Sequence, residues 1–299
     1  MDRQENEQAV FLEELHGYGL EAFKALEQFC REHNLQYFAI GGTLLGAVRH
    51  QGFIPWDDDM DVGMPRPDYD RLVSLAKEFP KPFVLEEYRH SKGFQSYFAK
   101  IRNETIGLLE TVTESKDERP GYLIDIIPMD GTPDSVLLRK FYFIRVLLLR
   151  FLCGAANVHT GILTSRPKWE QKVLKVCRML RLYKVLKVEK IYRRMDRLFH
   201  KQNALCAKHI GTITGAYKTR EIVPAEYFGI EEEPVYLPFE DTSIRVPKNY
   251  EPYLTHMYGE YMQLPPEEQR KAHYQGKIQK YGTGYSVRTG MDSRNPSEK

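Results

Sequence analysis

The segment from Gly41 to Gly63 constrains this 299-residue chain more than any other. A glycine pair opens the helical run Gly-Gly-Thr-Leu-Leu-Gly-Ala-Val-Arg-His. A Gly-Phe-Ile-Pro-Trp loop follows, and then the carboxylates Asp57, Asp58, Asp59 and Asp61. On a strand, alternate side chains share a face, so Asp59 and Asp61 point one way while Met60 and Val62 point into a core. Two carboxylates held side by side repel each other unless a cation lies between them. Oxygen ligands of this kind suit Mg²⁺ or Mn²⁺ better than zinc. Glycines at a helix start leave backbone N–H groups open to phosphate oxygens. A phosphate cradle beside metal-binding carboxylates implies phosphoryl or nucleotidyl transfer.

The same residues resemble the signature of the LicD/fukutin family, within the nucleotidyltransferase superfamily. Tyr122-Leu123-Ile124-Asp125-Ile126-Ile127-Pro128-Met129-Asp130-Gly131 is similar to the family's second block. Val246-Pro247-Lys248-Asn249-Tyr250, Tyr253-Leu254, Tyr258-Gly259 and Leu264-Pro265-Pro266 with Arg270 and His273 are similar to its C-terminal block. The resemblance spans residues 35 to 275, weakest in the basic middle. It implies an α/β (α+β) fold, a nucleotidyltransferase-like mixed sheet flanked by helices. It also implies transfer of a phospho-alcohol, first phosphocholine from CDP-choline, to a glycan or lipid-linked glycan acceptor with release of CMP. The expected acceptor is a sugar of a teichoic acid, lipopolysaccharide or capsule. Asp59, Asp61 and Asp125 would hold two metal ions, and a site carboxylate, Asp125 among the candidates, would take the hydroxyl's proton. CDP-ribitol or CDP-glycerol as donor, an RNA or small-molecule nucleotidyltransferase, and a non-catalytic glycan-binding relative are the alternatives.

Each site residue also has a plainer reading. Asp57 and Asp58 either serve the metal or substrate or hold the loop through backbone hydrogen bonds. Asp125, between apolar neighbours, is a third ligand or a satisfied structural carboxylate; Asp130, in an expected turn, is structural. Gly41, Gly42 and Thr43 bind phosphate or merely start a helix. Arg49 reaches a phosphate or pairs with the acidic loop. Lys100 and Arg102 neutralise the pyrophosphate or form surface ion pairs. Trp56 offers a face to a trimethylammonium head or packs under the loop. His273 closes the site or acts as a base.

Length permits a substantial core and a single domain over 1–299, with a catalytic core at about 20–134 and 210–275. Between Ser135 and Gln202 lie seventeen Lys/Arg against Glu170, Glu189 and Asp196, a net +14, although the whole chain carries only +2. This helical basic insertion, about 135–208, has three readings: a nucleic-acid patch, a helical subdomain with a solvated face, or a surface for an anionic membrane. The membrane suits a lipid-linked acceptor, so contact through 135–202 is expected and nucleic acid is not. The polar N-terminus lacks a signal core, and the longest apolar run, Phe141 to Gly154, is too short to span and carries Arg145 and Arg150. Cys30, Cys153, Cys177 and Cys206 lack metal-binding or disulfide spacing. A cytoplasmic enzyme is expected, peripheral at the inner membrane face in the membrane reading.

Periodicity places helices at Leu20–His33 (broken from 9–15 by Gly17 and Gly19), Thr43–His50, Pro67–Phe79, Val136–Cys153, Lys168–Leu182, Val188–Lys208 and Tyr250–Tyr258. Strands are expected at Gln36–Ile40, Asp59–Gly63, Phe83–Tyr88, Tyr97–Arg102, Tyr122–Ile127, Val235–Leu237 and Ser243–Val246. The polar tail from Met291 is expected to be disordered.

Overall fold

A computed structural model describes residues 3–91, 94, 96–110, 118–157, 168–203, 207–214, 221–272 and 276–281. The chain divides into two compact units, 1–128 with 226–299, and 129–225. The fold is α+β, a mixed sheet flanked by helices, as expected.

The first unit begins with α1 (Arg3–Glu32), a single helix that runs through Gly17 and Gly19 without the expected break. Glycine inside a helix costs about 1 kcal/mol relative to alanine. That cost is outweighed by a buried stripe including Phe11, Leu15, Phe23, Leu26 and Phe29, since each large apolar side chain removed from water contributes roughly 1.5–3 kcal/mol. The helix stops where Asn34 turns left-handed at φ 52° and the Leu35 amide bonds back to the Cys30 carbonyl at 2.8 Å.

Next come β1 (Phe38–Ala39), α2 (Gly41–His50), β2 (Met60–Pro65), α3 (Arg66–Ser74), β3 (Phe83–Glu86), β4 (Ala99–Glu110) and β5 (Glu118–Thr132). The second unit holds α4 (Val136–Ala156), α5 (Lys168–Met179), α6 (Val188–Asn203), β6 (His209–Gly211) and β7 (Ile222–Pro224). The chain re-enters the first unit with β8 (Val235–Phe239), β9 (Thr242–Val246), α7 (Tyr250–Tyr258) and β10 (Gly276–Lys280). In the first unit the strand order is β1-β2-β5-β4-β10, with β3 also antiparallel to β4. This order makes β2 and β5 neighbours and sets the acids of one beside those of the other.

In the second unit, Asp130 to Thr132 of β5 pair with β6, which pairs with β7. Asp130 lies in this strand, not in a turn. It is fully buried and accepts from Asn203 Nδ2 at 2.7 Å, while Asn203 Oδ1 accepts from the Gly131 amide. Helix α6 buries Ile191, Tyr192, Met195 and Phe199; Tyr142 of α4 meets the Phe199 ring at 6.4 Å, and Cys153 lies beside Met195. Cys30, Cys153 and Cys177 are free thiols, and Cys206 falls outside the described residues, as does the tail from Met291. Among the described residues no helix is long and apolar enough to cross a membrane.

Candidate active site

The site is assembled where α2 starts against β2. Helix α2 has no side-chain cap at Ile40, so its first amides are not satisfied by a capping group. Gly41 opens it at φ +55°, and a Cβ there would come within 2.8 Å of Asp61 Oδ2. At Gly42 a Cβ would overlap the Asp57 carboxylate. Both glycines are therefore required by the close approach of acids to the helix start. The partial positive charge of that helix end favours them there.

Thr43 joins the two elements. Its Oγ1 accepts a 2.7 Å hydrogen bond from the Asp61 amide, so the hydroxyl expected to meet phosphate is already holding the acidic strand. Met60 and Val62 are buried in the core, with Asp61 between them half-buried. Asp59 immediately precedes β2 and Asp125 lies on the adjacent β5. One oxygen from each of Asp59, Asp61 and Asp125 lies within 4.8 Å of the other two, and Asp57, Asp58 and Asp59 form a second such group. Asp59 is exposed as a residue, yet the protein around its carboxyl and the charges of Asp57, Asp125 and Asp58 push its pKa up to about 7. Burial, followed by Asp59, Asp125 and Asp57, holds Asp61 well above the usual carboxylate range. Lys100 opposes both shifts. An all-oxygen donor set this crowded fits a hard divalent cation, which would relieve the repulsion.

Lys100 sits opposite Asp125 across β4 and β5 and donates to both its oxygens, at 2.5 and 2.7 Å. Any cation at the three acids would share Asp125 with this ammonium or take its place. Arg102, two positions on, is engaged elsewhere: its Nε pairs with Glu86 at 3.0 Å, and Glu86 also accepts from Tyr122 at 2.8 Å. Glu86 of β3 lies opposite Lys100 in the β3–β4 ladder, so β3 supplies the carboxylate that engages Arg102.

Arg49 does not pair with the acidic loop. Its guanidinium donates to the carbonyls of Tyr261 and Gln263 at 3.2 and 3.4 Å. Trp56 is half-buried, edge-on to His50, with the Arg270 guanidinium 5.8 Å from its ring centroid. Arg270 is itself fixed by the Pro265 carbonyl at 2.8 Å. A protein cation thus already occupies the neighbourhood of the ring. His273 lies outside the described residues.

His16 of α1 is a neighbour that the sequence did not signal. Its Nε2 lies 2.7 Å from the Asp57 carbonyl oxygen, and its ring stacks on Phe53 at 4.2 Å. With Leu15, Phe53, Asp58, Asp59 and Leu123 it lines a small cavity beside the acids. Burial lowers its pKa, against the Asp57 carbonyl and the charges of Glu240 and Asp58. The loop is further held where Glu240 accepts from the Phe53 amide at 2.9 Å. A histidine on a long helix reads as one more polar residue until the fold brings it to a loop 41 positions away.

Residues 34–130 match the LicD/FKTN/FKRP nucleotidyltransferase domain. The chain is 29% identical over 265 residues to the lipopolysaccharide cholinephosphotransferase LicD of Haemophilus influenzae, covering 85% of this chain and 91% of that one. A shorter match, 43% over 56 residues, joins it to an uncharacterized protein of Rickettsia prowazekii, with 19% of this chain and 21% of that one aligned. The domain match and the similarity support a phosphotransferase. More particularly, the chain carries a LicD family domain at residues 34–130.

Proposed function

We propose that this enzyme transfers phosphocholine from CDP-choline to a glycan hydroxyl and releases CMP. The observation that carries the reading is the convergence of Asp59, Asp61 and Asp125 within 4.8 Å of one another beside the Gly41–Gly42 helix start. The similarity to a lipopolysaccharide cholinephosphotransferase supports choline and a lipopolysaccharide acceptor, with teichoic acid or capsule sugars offering the same hydroxyl chemistry.

In this reading the backbone amides at Gly41 and Gly42 orient the donor's phosphates, and Lys100 adds positive charge to the side facing Asp125. Asp59, Asp61 and Asp125 would hold Mg²⁺ or Mn²⁺. The ion, when bound, neutralises charge on the reacting phosphate and on the departing CMP. The acceptor oxygen forms a bond to the phosphorus bearing choline, and the bond from that phosphorus to the CMP oxygen breaks. Asp59 is exposed, whereas Asp125 is engaged at both oxygens by Lys100. Asp59 therefore accepts the hydroxyl's proton. The Arg49, Trp56 and Arg270 cluster holds the segment 261–270 against the loop carrying the acids.

The test is CMP release from CDP-choline, CDP-ribitol and CDP-glycerol, with and without Mg²⁺ or Mn²⁺. Release that needs metal and is fastest with CDP-choline supports the reading. A faster rate with ribitol or glycerol transfers the assignment to that alcohol.

A further inference from the structure

We infer that the 129–225 unit carries a docking site for an anionic phospholipid surface, with a lipid phosphate seated in a groove formed by α4 and α6. Along α4, Leu137, Phe141, Ile144 and Leu148 fall at helical spacing on one face and are all exposed, Phe141 by 59% and Leu148 by 58%. Tyr142, Phe143 and Val146 occupy the buried face. A helix that already packs one apolar face and leaves a second in water has surface to give to another phase. Met179 and Val185, at the end of α5 and before α6, are 74% and 80% exposed.

The apolar ridge runs into the groove. Arg145, Leu148 and Leu149 from α4 and Arg194, Arg197 and Lys201 from α6 line a space of about 500 Å³. The α6 cations recur at i, i+3 and i+7, one stripe of a helix whose opposite stripe is core. Four cations around three leucines, Leu198 being the third, match a phosphate headgroup with its first acyl carbons. The +14 charge between 135 and 202 supplies the longer-range attraction. A nucleic acid would use the charge but would gain little from a ridge in which Phe141 is the one ring among Leu137, Ile144 and Leu148, since bases stack on aromatic faces. The lipid surface uses both features.

The experiment is co-sedimentation of the full chain with vesicles of phosphatidylcholine alone or mixed with phosphatidylglycerol, read without donor, metal or turnover so that it stands apart from the catalytic proposal. Binding should need phosphatidylglycerol and fall as salt shortens the Debye length to roughly 3 Å at 1 M. Arg194→Glu with Arg197→Glu should lower vesicle affinity more than ~tenfold, and Phe141→Ser with Leu148→Ser should lower it with the charge intact. All four positions are exposed and lie outside the catalytic unit, with circular dichroism reporting the fold. Equal and weak recruitment by both vesicles overturns the inference. So does anionic binding unchanged in both double variants, and so does an RNA oligonucleotide that displaces the protein from the vesicles.

Discussion

Thr43 Oγ1 accepts the Asp61 amide proton at 2.7 Å, a bond that fixes the first acidic strand to the helix leaving the glycine turn. Thr43 is buried, so removing the acceptor leaves an amide without a partner. Thr43→Val should cost about 1–3 kcal/mol of stability and weaken metal binding, because Asp61 loses its register. Thr43→Ser should retain both. Thermal unfolding and Mn²⁺ titration of the two variants separate this from a packing effect, which would damage serine more than valine.

Gly42→Ala probes the close approach of Asp57. Alanine favours a helix by about 1 kcal/mol over glycine, so overall stability should change little. The added methyl overlaps the Asp57 carboxylate and must displace it from the helix start. Turnover should fall at least ~tenfold, equivalent to about 1.4 kcal/mol, with the unfolding midpoint nearly unchanged. Wild-type turnover in this variant would show that the space over the helix start is not used.

The Asp59 carboxyl has a folded pKa of about 7, above its ordinary 3.8. Between those values the native metal-free protein holds a proton that the unfolded chain has lost, so this group's contribution to stability falls as pH rises from about 4 to 7. Asp59→Asn removes that loss. With chelator present the variant should gain on wild type as pH rises, reaching on the order of 1 kcal/mol above pH 7 once solvent screening of an exposed group is allowed for. Mn²⁺ affinity of the wild type should rise over the same range, because the ligand must be deprotonated. A stability difference independent of pH would contradict the assignment.

Lys100 neutralises Asp125 beside two further carboxylates. Lys100→Met leaves three acids facing one another and should lower metal-free stability by about 1–3 kcal/mol. Added Mn²⁺ should restore much of that loss, since the ion supplies the missing charge. An equal loss with and without Mn²⁺ would make Lys100 an ordinary structural partner.

Much of the fold was legible because the apolar pattern is strong where it matters. Met60 and Val62 mark β2, and the run from Leu123 to Ile127 marks β5, although that strand extends well past Pro128 to Thr132. The glycines of α1 misled because local propensity says nothing of the partner against which Phe23 and Leu26 are buried. Strand β10 went unread: its lysines and glutamine are mostly exposed and its only marker is pairing with β4. At the site, the acids are grouped by sequence spacing, and the Thr43 to Asp61 bond follows from the two elements being adjacent. Neither His16, brought in by α1, nor the pairing of Arg102 with Glu86 of β3 has a local signal.

Which half of the donor ends on the acceptor tests the central claim most directly. CDP-choline labelled separately in choline and in cytidine is incubated with the enzyme, Mn²⁺ and a glycan acceptor, alongside Asp61→Asn. The account predicts choline label on the glycan, cytidine label in free CMP, and neither product with Asp61→Asn. Cytidine label on the acceptor, with phosphocholine released, would contradict it and make the enzyme a nucleotidyltransferase.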